Sequence, residues 1–142
     1  MQIREVMTPS PEIISPEASL AEAATMMKKL NIGSLPVGSV QSVVGWITDR
    51  DITIRATAEH LNPDAAAVQE AMSRKVVFCR ENDDVDECAR LMEEKQIRRL
   101  PVLDSERRLV GVVALGDLAL SPDKKLAGEI LEKVSQPSQP NR

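Results

Sequence analysis

Thr48 and Asp51 are the residues whose types and spacing are best suited to holding a ligand. They belong to the segment Gly45–Asp51, in which a predicted strand ends at Thr48 and a helix begins directly after it. The Thr48 hydroxyl and the free backbone N–H groups of a helix start suit an anion such as a phosphate. The Asp51 carboxylate, one turn further on, can accept hydrogen bonds from a diol such as a ribose. Alternatively, Thr48 and Asp49 merely cap the helix.

Outside this segment the sequence shows no catalytic constellation. His60, the only histidine, ends a predicted helix, where a histidine usually just interacts with the helix dipole. We find no nucleophile–base pair, no glycine-rich phosphate loop and no metal-ligand spacing. The sequence therefore predicts a protein that is not an enzyme and holds no metal.

Cys79 and Cys88 are the only cysteines, and nine residues separate them. They match neither CxxC nor a zinc pattern, so the simplest interpretation is two small buried residues. A redox or metal sensor is an alternative that requires the two to meet in space. Their spacing neither requires nor forbids this.

Composition narrows the class of protein. With 142 residues, 42% of them hydrophobic, the chain fits one compact domain or two very small ones. A net charge of −4 with one Trp, one Phe and no Tyr is a poor basis for nucleic-acid binding. No apolar run is long enough for a membrane span, and the N-terminal residues do not resemble a signal peptide. We therefore expect a cytoplasmic protein that binds neither membrane nor nucleic acid.

The sequence contains two copies of one pattern. Leu35–Val37 recurs 65 positions later as Leu100–Val102, and Gly45–Ile52 recurs 66 positions later as Gly111–Leu118. The extra residue falls in the polar turn Asp104–Arg108, where insertions are tolerated. We predict a first repeat at residues 1–65, a second at 66–121, a C-terminal helix at 122–134 that opens at Pro122, and a disordered tail at 135–142.

Each copy predicts the order β-α-β-β-α, which makes the fold α/β (α+β) with the two repeats packed about a pseudo-two-fold axis. In the first copy we predict strands at 12–14, 34–40 and 43–48, a helix opened by a Ser19–Glu22 capping box, and a helix from 49 or 50 to about 60. In the second we predict strands at 76–79, 99–103 and 109–114, a helix capped by Asp83, and a short helix at Asp117. Met26, Met27, Met92 and Trp46 are predicted to pack in the core or at a dimer interface.

These motifs together resemble the CBS domain (the cystathionine β-synthase module), and the whole chain resembles a tandem CBS pair of the small stand-alone bacterial type, or Bateman module. The resemblance covers about residues 3–120 and depends on Val6–Pro9, Ile32–Val37, Gly45-x-Ile47-Thr48-x-x-Asp51 and their second-copy equivalents. It implies that AMP, ADP, ATP or another adenosyl compound binds in clefts between the repeats.

The resemblance also implies roles for single residues. Asp51 would hold the ribose hydroxyls and Thr48 would contact phosphate. Ile97, Arg98 and Arg99 of the other repeat would complete this site, with Cys79 on the same wall. Alternatively, the two arginines are only the solvated start of a strand.

The second site departs from the family pattern. Asp117 is kept, but Ala114 stands where a Thr or Ser is expected. Gly33 and Ser34 would complete this cleft, so we expect two unequal sites with the better one at Asp51.

The leading hypothesis is thus a non-catalytic sensor of an adenine nucleotide or adenosyl ligand. It would act as a homodimer on a separate, unidentified effector protein. The alternative is a ligand-free CBS-pair stress or interaction protein that acts through its dimer surface, which Ala114 favours and Thr48 with Asp51 disfavours.

Overall fold

The structure, a computed structural model, describes residues 1–119 and 124–136. It divides into two compact units. The middle unit is Pro11–Val76, and the composite unit is Met1–Ser10 together with the chain from Val77 onward. The strands are β1 Thr8–Pro9, β2 Ser34–Gly38, β3 Val43–Thr48, β4 Cys79–Arg80, β5 Arg99–Leu103 and β6 Leu109–Ala114. The helices are α1 Leu20–Leu30, α2 Asp49–Asp51, which continues as a π-helix over Ile52–Thr57, α3 Val85–Lys95, α4 Leu115–Ala119 and α5 Lys124–Val134.

The middle unit packs α1 on the β2–β3 hairpin. The helix begins where the Ser19 hydroxyl accepts the Glu22 N–H at 3.1 Å, and it ends at Asn31, which adopts the left-handed conformation with φ 55°. The start matches the predicted cap at Ser19, and the left-handed Asn31 is a usual way for a helix to end. The apolar face of α1 is buried with the hairpin in one core, whose largest fully buried members are Leu20, Leu35, Val37, Ile47 and Val68.

The composite unit has a four-stranded sheet in the order β1-β6-β5-β4. Strands β5 and β6 form an antiparallel hairpin, while β4 is a short parallel edge strand whose Cys79 lies opposite Val102. Helix α3 covers the sheet because its Cys88, Ala89 and Met92 share a core with the strands. The other large buried members of that core are Ile3, Leu100, Val102, Val113 and Leu118.

The N-terminal segment of each copy pairs with the last hairpin strand of the other copy. In the composite unit Thr8 pairs with Val112 of β6, and in the middle unit Ser73 exchanges two 2.9 Å backbone hydrogen bonds with Trp46 of β3. The compact units therefore differ from the linear repeats, because each unit includes a segment from the other repeat's sequence.

Several sequence predictions were wrong in detail. No strand forms at 12–14, where Ile14 makes only an isolated bridge to Val37. The short strand after residue 76 is confined to Cys79–Arg80. Helix α3 is capped by Asp84, which accepts the Asp86 N–H at 3.2 Å, because the Asp83 carboxylate instead accepts the Arg80 N–H at 2.9 Å.

The mixed α and β fold class is confirmed, as are the two hairpins, the Ser19-capped helix α1 and the presence of helix α3. The first hairpin strand ends at Gly38, two residues before the predicted end, where φ is 129° and the register shifts. Pro122 and most of the predicted tail lie outside the described residues. No helix in the described ranges is long and apolar enough to cross a membrane.

Candidate ligand-binding site

Thr48 and Asp51 are held against each other where β3 meets α2. The Thr48 Oγ1 atom accepts the Asp51 N–H at 3.0 Å, and the Asp51 Oδ2 atom accepts the Thr48 N–H at 3.0 Å. This reciprocal capping box fixes both side chains. The hydroxyl proton of Thr48 is still available to donate, and the second carboxylate oxygen of Asp51 is still available to accept.

The helix start itself offers fewer donors than the sequence predicts. The Asp49 N–H donates to the Gly33 carbonyl at 2.9 Å, and the Arg50 N–H donates to the Asp49 carboxylate at 2.8 Å. The Asp51 N–H is taken by Thr48. The expectation that free backbone N–H groups there would suit an anion was therefore wrong, because side chains and a neighbouring strand end already satisfy them.

Arg55 is a neighbour of the site that the sequence reasoning missed. Its Nε atom lies 3.8 Å from the Asp51 Oδ1 atom, and its Nη1 atom donates to the carbonyls of Ala71 and Met72 at 3.4 and 3.3 Å. Asp51 and Arg55 are four residues apart on consecutive helical turns, a spacing that predicts an ion pair. The Asp51 side chain is only 14% exposed, so Arg55 partly covers it.

The second copy keeps half of this arrangement. The Asp117 Oδ2 atom accepts the Ala114 N–H at 2.7 Å, as Asp51 does with Thr48. Ala114 has no hydroxyl to return the bond, so the reciprocal half is missing. The Leu115 N–H donates to the Arg98 carbonyl at 2.8 Å, which corresponds to the Asp49–Gly33 bond of the first copy.

The sequence matches known proteins across most of its length. The profile of the CBS domain matches residues 3–56 and again 68–122. The chain belongs to the CBS domain family. The predicted resemblance to a tandem CBS pair is thereby confirmed.

Relatives of similar length support this assignment. The CBS domain-containing protein YhcV of Bacillus subtilis is 38% identical over 134 residues, which are 94% of each chain. Hypoxic response protein 1 of Mycobacterium tuberculosis is 36% identical over 117 residues, covering 82% of this chain and 81% of that protein.

Solved structures share the fold. A crystal structure of Hypoxic Response Protein I with two coordinated zinc ions has a TM-score of 0.74 at 33% identity, covering 84% of this chain and 97% of that one. The CBS domain pair of protein MJ0100, in complex with 5′-methylthioadenosine and S-adenosyl-L-methionine, has a TM-score of 0.74 at 29% identity, covering 91% and 98%.

The residues predicted to complete the two CBS sites fall into two groups. Gly33 and Ser34 lie beside Thr48, because Ser34 pairs with Thr48 across the β2–β3 hairpin. Ile97, Arg98 and Arg99 lie instead beside the Asp117 turn, and Arg99 pairs with Ala114. Both arginines are exposed and Ile97 is half-buried. Their contribution to ligand binding at Asp51, and that of Gly33 and Ser34 at Asp117, stay predictions.

Cys79 is buried in the core of the composite unit, where only 2% of it is exposed. Its sulfur lies 2.8 Å from that of Cys88. The sequence could not place the two thiols together, because the nine-residue spacing does not fix how the strand and helix approach. That Cys79 lines the wall of a ligand site stays a prediction.

Helix α1 lines a concave surface of the middle unit. It is an open groove of about 550 Å³ lined by Ser19, Ala21, Glu22, Thr25, Met26, Lys29 and Asp64. Met26 was predicted to lie in the core or at a dimer interface, and it is half-buried in this groove. Among the described residues, no group of three or more His, Cys, Asp or Glu side chains is arranged to hold a metal ion.

Proposed function

We propose that this CBS-pair protein is a non-catalytic regulatory module that binds an adenine nucleotide or a related adenosyl compound at Thr48 and Asp51. The observation that carries the proposal is the reciprocal capping box, which fixes the Asp51 carboxylate through Oδ2. Its Oδ1 atom lies 3.8 Å from the Arg55 Nε atom, too far for a hydrogen bond, and can accept one from a ligand. A carboxylate held in one orientation suits a vicinal diol, because both hydroxyls can then donate without an ordering cost.

The comparison with MJ0100 supports an adenosyl ligand. That CBS domain pair was solved with 5′-methylthioadenosine and S-adenosyl-L-methionine, and both compounds contain a ribose. The satisfied N–H groups at Asp49, Arg50 and Asp51 leave the Thr48 hydroxyl as the phosphate donor at this turn. In our proposal the ribose therefore contributes more to binding than the phosphates do. For this reason AMP, ADP, ATP and 5′-methylthioadenosine should be tested side by side.

The second CBS repeat would bind more weakly. Ala114 cannot donate to a phosphate, and it cannot return the hydrogen bond that orients Asp117. Losing one hydrogen bond to a charged group costs about 1.5–3 kcal/mol of binding free energy. We propose one good site per chain, at Asp51.

Regulation would follow from a difference in ligand affinity between two conformations of the protein. We propose that the protein acts as a homodimer and that ligand binding changes the surface presented to an effector protein. The groove on α1 and the neighbouring Leu30, which is 43% exposed, are candidate contact surfaces.

The test is a thermal-shift screen of the purified protein with AMP, ADP, ATP, S-adenosylmethionine and 5′-methylthioadenosine. A ligand at one hundred times its Kd adds about 2.7 kcal/mol to the free energy of unfolding. For a chain of this size the melting temperature should rise by about 5–10 °C. The Asp51→Ala variant should lose this rise.

Asp51→Ala also removes a helix cap, so the unliganded variant will itself melt lower. Asp84→Ala is the matched control, because it removes the cap of α3. We expect Asp84→Ala to melt lower but to keep the full ligand-induced rise. A rise that survives in Asp51→Ala would contradict the assigned site, and no rise with any compound would favour the ligand-free interaction protein.

A further inference from the structure

Cys79 and Cys88 form a buried pair of thiols that the proposed ligand site does not use. Their sulfurs lie 2.8 Å apart, and the residues are 2% and 1% exposed. Both cysteines are free in the structure. Two thiols at this separation are closer than ordinary core neighbours, whose heavy atoms pack at about 3.5–4.0 Å.

The two cysteines come from different elements. Cys79 begins the edge strand β4, and Cys88 lies in the second turn of α3, so their sulfurs meet where the helix packs on the sheet. The surrounding core is apolar, with Val85, Met92 and Val102 among its buried members. No polar side chain is required to bring the thiols together, since the packing of α3 on β4 does so.

The separation fits a disulfide better than a metal. Two thiolates on one tetrahedral zinc ion, with Zn–S bonds near 2.3 Å, keep their sulfurs about 3.8 Å apart. Such a site also needs further ligands, and the described residues contain no group of three or more His, Cys, Asp or Glu that could supply them. A disulfide needs only a further approach of the two sulfurs to about 2.05 Å.

We propose that Cys79 and Cys88 are a reversible redox pair that forms an intramolecular disulfide with an oxidised low-molecular-weight thiol, written RSSR. One protein sulfur attacks RSSR and releases the first RSH, which leaves a mixed disulfide. The second protein sulfur then attacks the first and releases the second RSH. Overall, two thiols and RSSR become one protein disulfide and two RSH, with both protons and both electrons passing to the released thiols.

The reduced pair reacts slowly while it stays buried. The hydrogen bond with Cys79 raises the pKa of Cys88, and burial and the nearby Asp83 charge add to the effect. Cys88 is therefore a neutral thiol at physiological pH, and a neutral thiol is a poor nucleophile. Oxidation requires opening of β4, which is a two-residue strand at the edge of the sheet.

The disulfide would constrain the chain between Cys79 and Cys88, which is hydrogen-bonded to the N-terminal segment. The Glu81 and Asp83 carbonyls, both between the cysteines, accept the N–H groups of Arg4 and Ile3 at 2.9 Å. Ile3 is fully buried in the same core. Closing the loop from Cys79 to Cys88 would therefore stabilise the docking of the N-terminal segment against local opening.

The test uses the full chain, reduced and then equilibrated in mixtures of reduced and oxidised glutathione. We expect the native chain to lose both alkylatable thiols, to become lighter by about 2 Da without a glutathione adduct, and to yield a linked Cys79–Cys88 peptide. The melting temperature should rise by about 5 °C or more, as expected for a short closed loop. Dithiothreitol should reverse every change.

Cys79→Ala and Cys88→Ala should each prevent the loss of mass, and the double variant should have a melting temperature that does not respond to glutathione. If these variants fold poorly, peptide mapping of the native chain decides by itself. Two thiols that remain alkylatable in denaturant after full oxidation would overturn the proposal. So would a stable glutathione adduct, a disulfide between chains, or stoichiometric zinc that protects the thiols.

Discussion

Thr48 and Asp51 each accept the other's backbone N–H at 3.0 Å. In the second repeat Asp117 accepts the Ala114 N–H, but Ala114 has no hydroxyl to accept the Asp117 N–H. The chain thus contains a complete and a half-complete version of the same turn. The difference is one hydroxyl, so single substitutions can convert each version into the other.

Thr48→Ala converts the complete turn into the half-complete one. The Asp51 N–H loses its acceptor, and removal of an N-cap hydroxyl costs about 1 kcal/mol of unfolding free energy. We expect the melting temperature to fall by about 2–4 °C. Thr48→Ser keeps the hydroxyl and should melt close to the unmodified protein. Equal losses in both variants would show that the Thr48 methyl group, not its hydroxyl, stabilises the turn.

Ala114→Thr tests the opposite conversion. The new hydroxyl lies where it can accept the Asp117 N–H, so we expect about 0.5–1 kcal/mol of added stability, measured by denaturant unfolding. Ala114→Val has a similar volume and no hydroxyl, and it should give no gain. If the valine variant gains as much as the threonine variant, packing of β6 explains the effect.

The sequence predicted the elements around this site better than their hydrogen bonds. The strand end at Thr48 and the helix start at Asp49 follow from the apolar pattern and the polar break after it. The capture of the Asp49 N–H by the Gly33 carbonyl could not be predicted, because it depends on how β2 and β3 pair across the hairpin. The contact between Cys79 and Cys88 could not be predicted either, because it depends on how α3 packs on the sheet.

The sequence also did not predict that the N-terminal segment of each copy pairs with the last hairpin strand of the other copy. Repeats at a fixed spacing predict two equal units with boundaries near the repeat junction. The pairing of Ser73 with Trp46, and of Thr8 with Val112, is set by contacts far apart along the chain. The glycines Gly45 and Gly111 are the sequence signal of this pairing, since each stands inside a strand and leaves room for a close neighbour.

Gly45→Ala tests this close approach. A Cβ at Gly45 would overlap the Met72 sulfur and lie 3.0 Å from the Ser73 carbonyl oxygen. Because the Ser73 backbone cannot move aside as a flexible side chain can, we expect a loss of about 1–3 kcal/mol in unfolding free energy. Urea denaturation measures it.

Gly128→Ala is the matched control for Gly45→Ala, since a Cβ at Gly128 in α5 meets nothing within 4 Å. There the higher helix propensity of alanine should add up to about 1 kcal/mol of stability. The two substitutions therefore have opposite predicted signs. A stable Gly45→Ala variant would mean that Met72 and Ser73 can shift without disturbing the middle unit.

Asp104 gives a pH-dependent prediction in the turn Asp104–Arg108. Its carboxylate accepts the backbone N–H groups of Arg108 and Glu106, both at 2.9 Å, and the Arg108 Nε–H at 2.8 Å. The Arg108 backbone bond is the largest cause that lowers the pKa of Asp104, followed by the Arg108 side chain and the Glu106 N–H. A carboxylate whose pKa is lowered on folding stabilises the protein above its unfolded pKa of about 3.9.

That stabilisation disappears as the pH falls through the lower pKa of the folded state. Asp104→Asn should therefore melt below the unmodified protein at pH 7, and the two melting curves should converge in acid below about pH 4. Glu106→Gln is the control, because Glu106 is 70% exposed and lies 3.5 Å from Arg108, an ion pair of little expected value. A gap between Asp104→Asn and the unmodified protein that is the same at pH 7 and in acid would show that shape, not charge, makes Asp104 stabilise this turn.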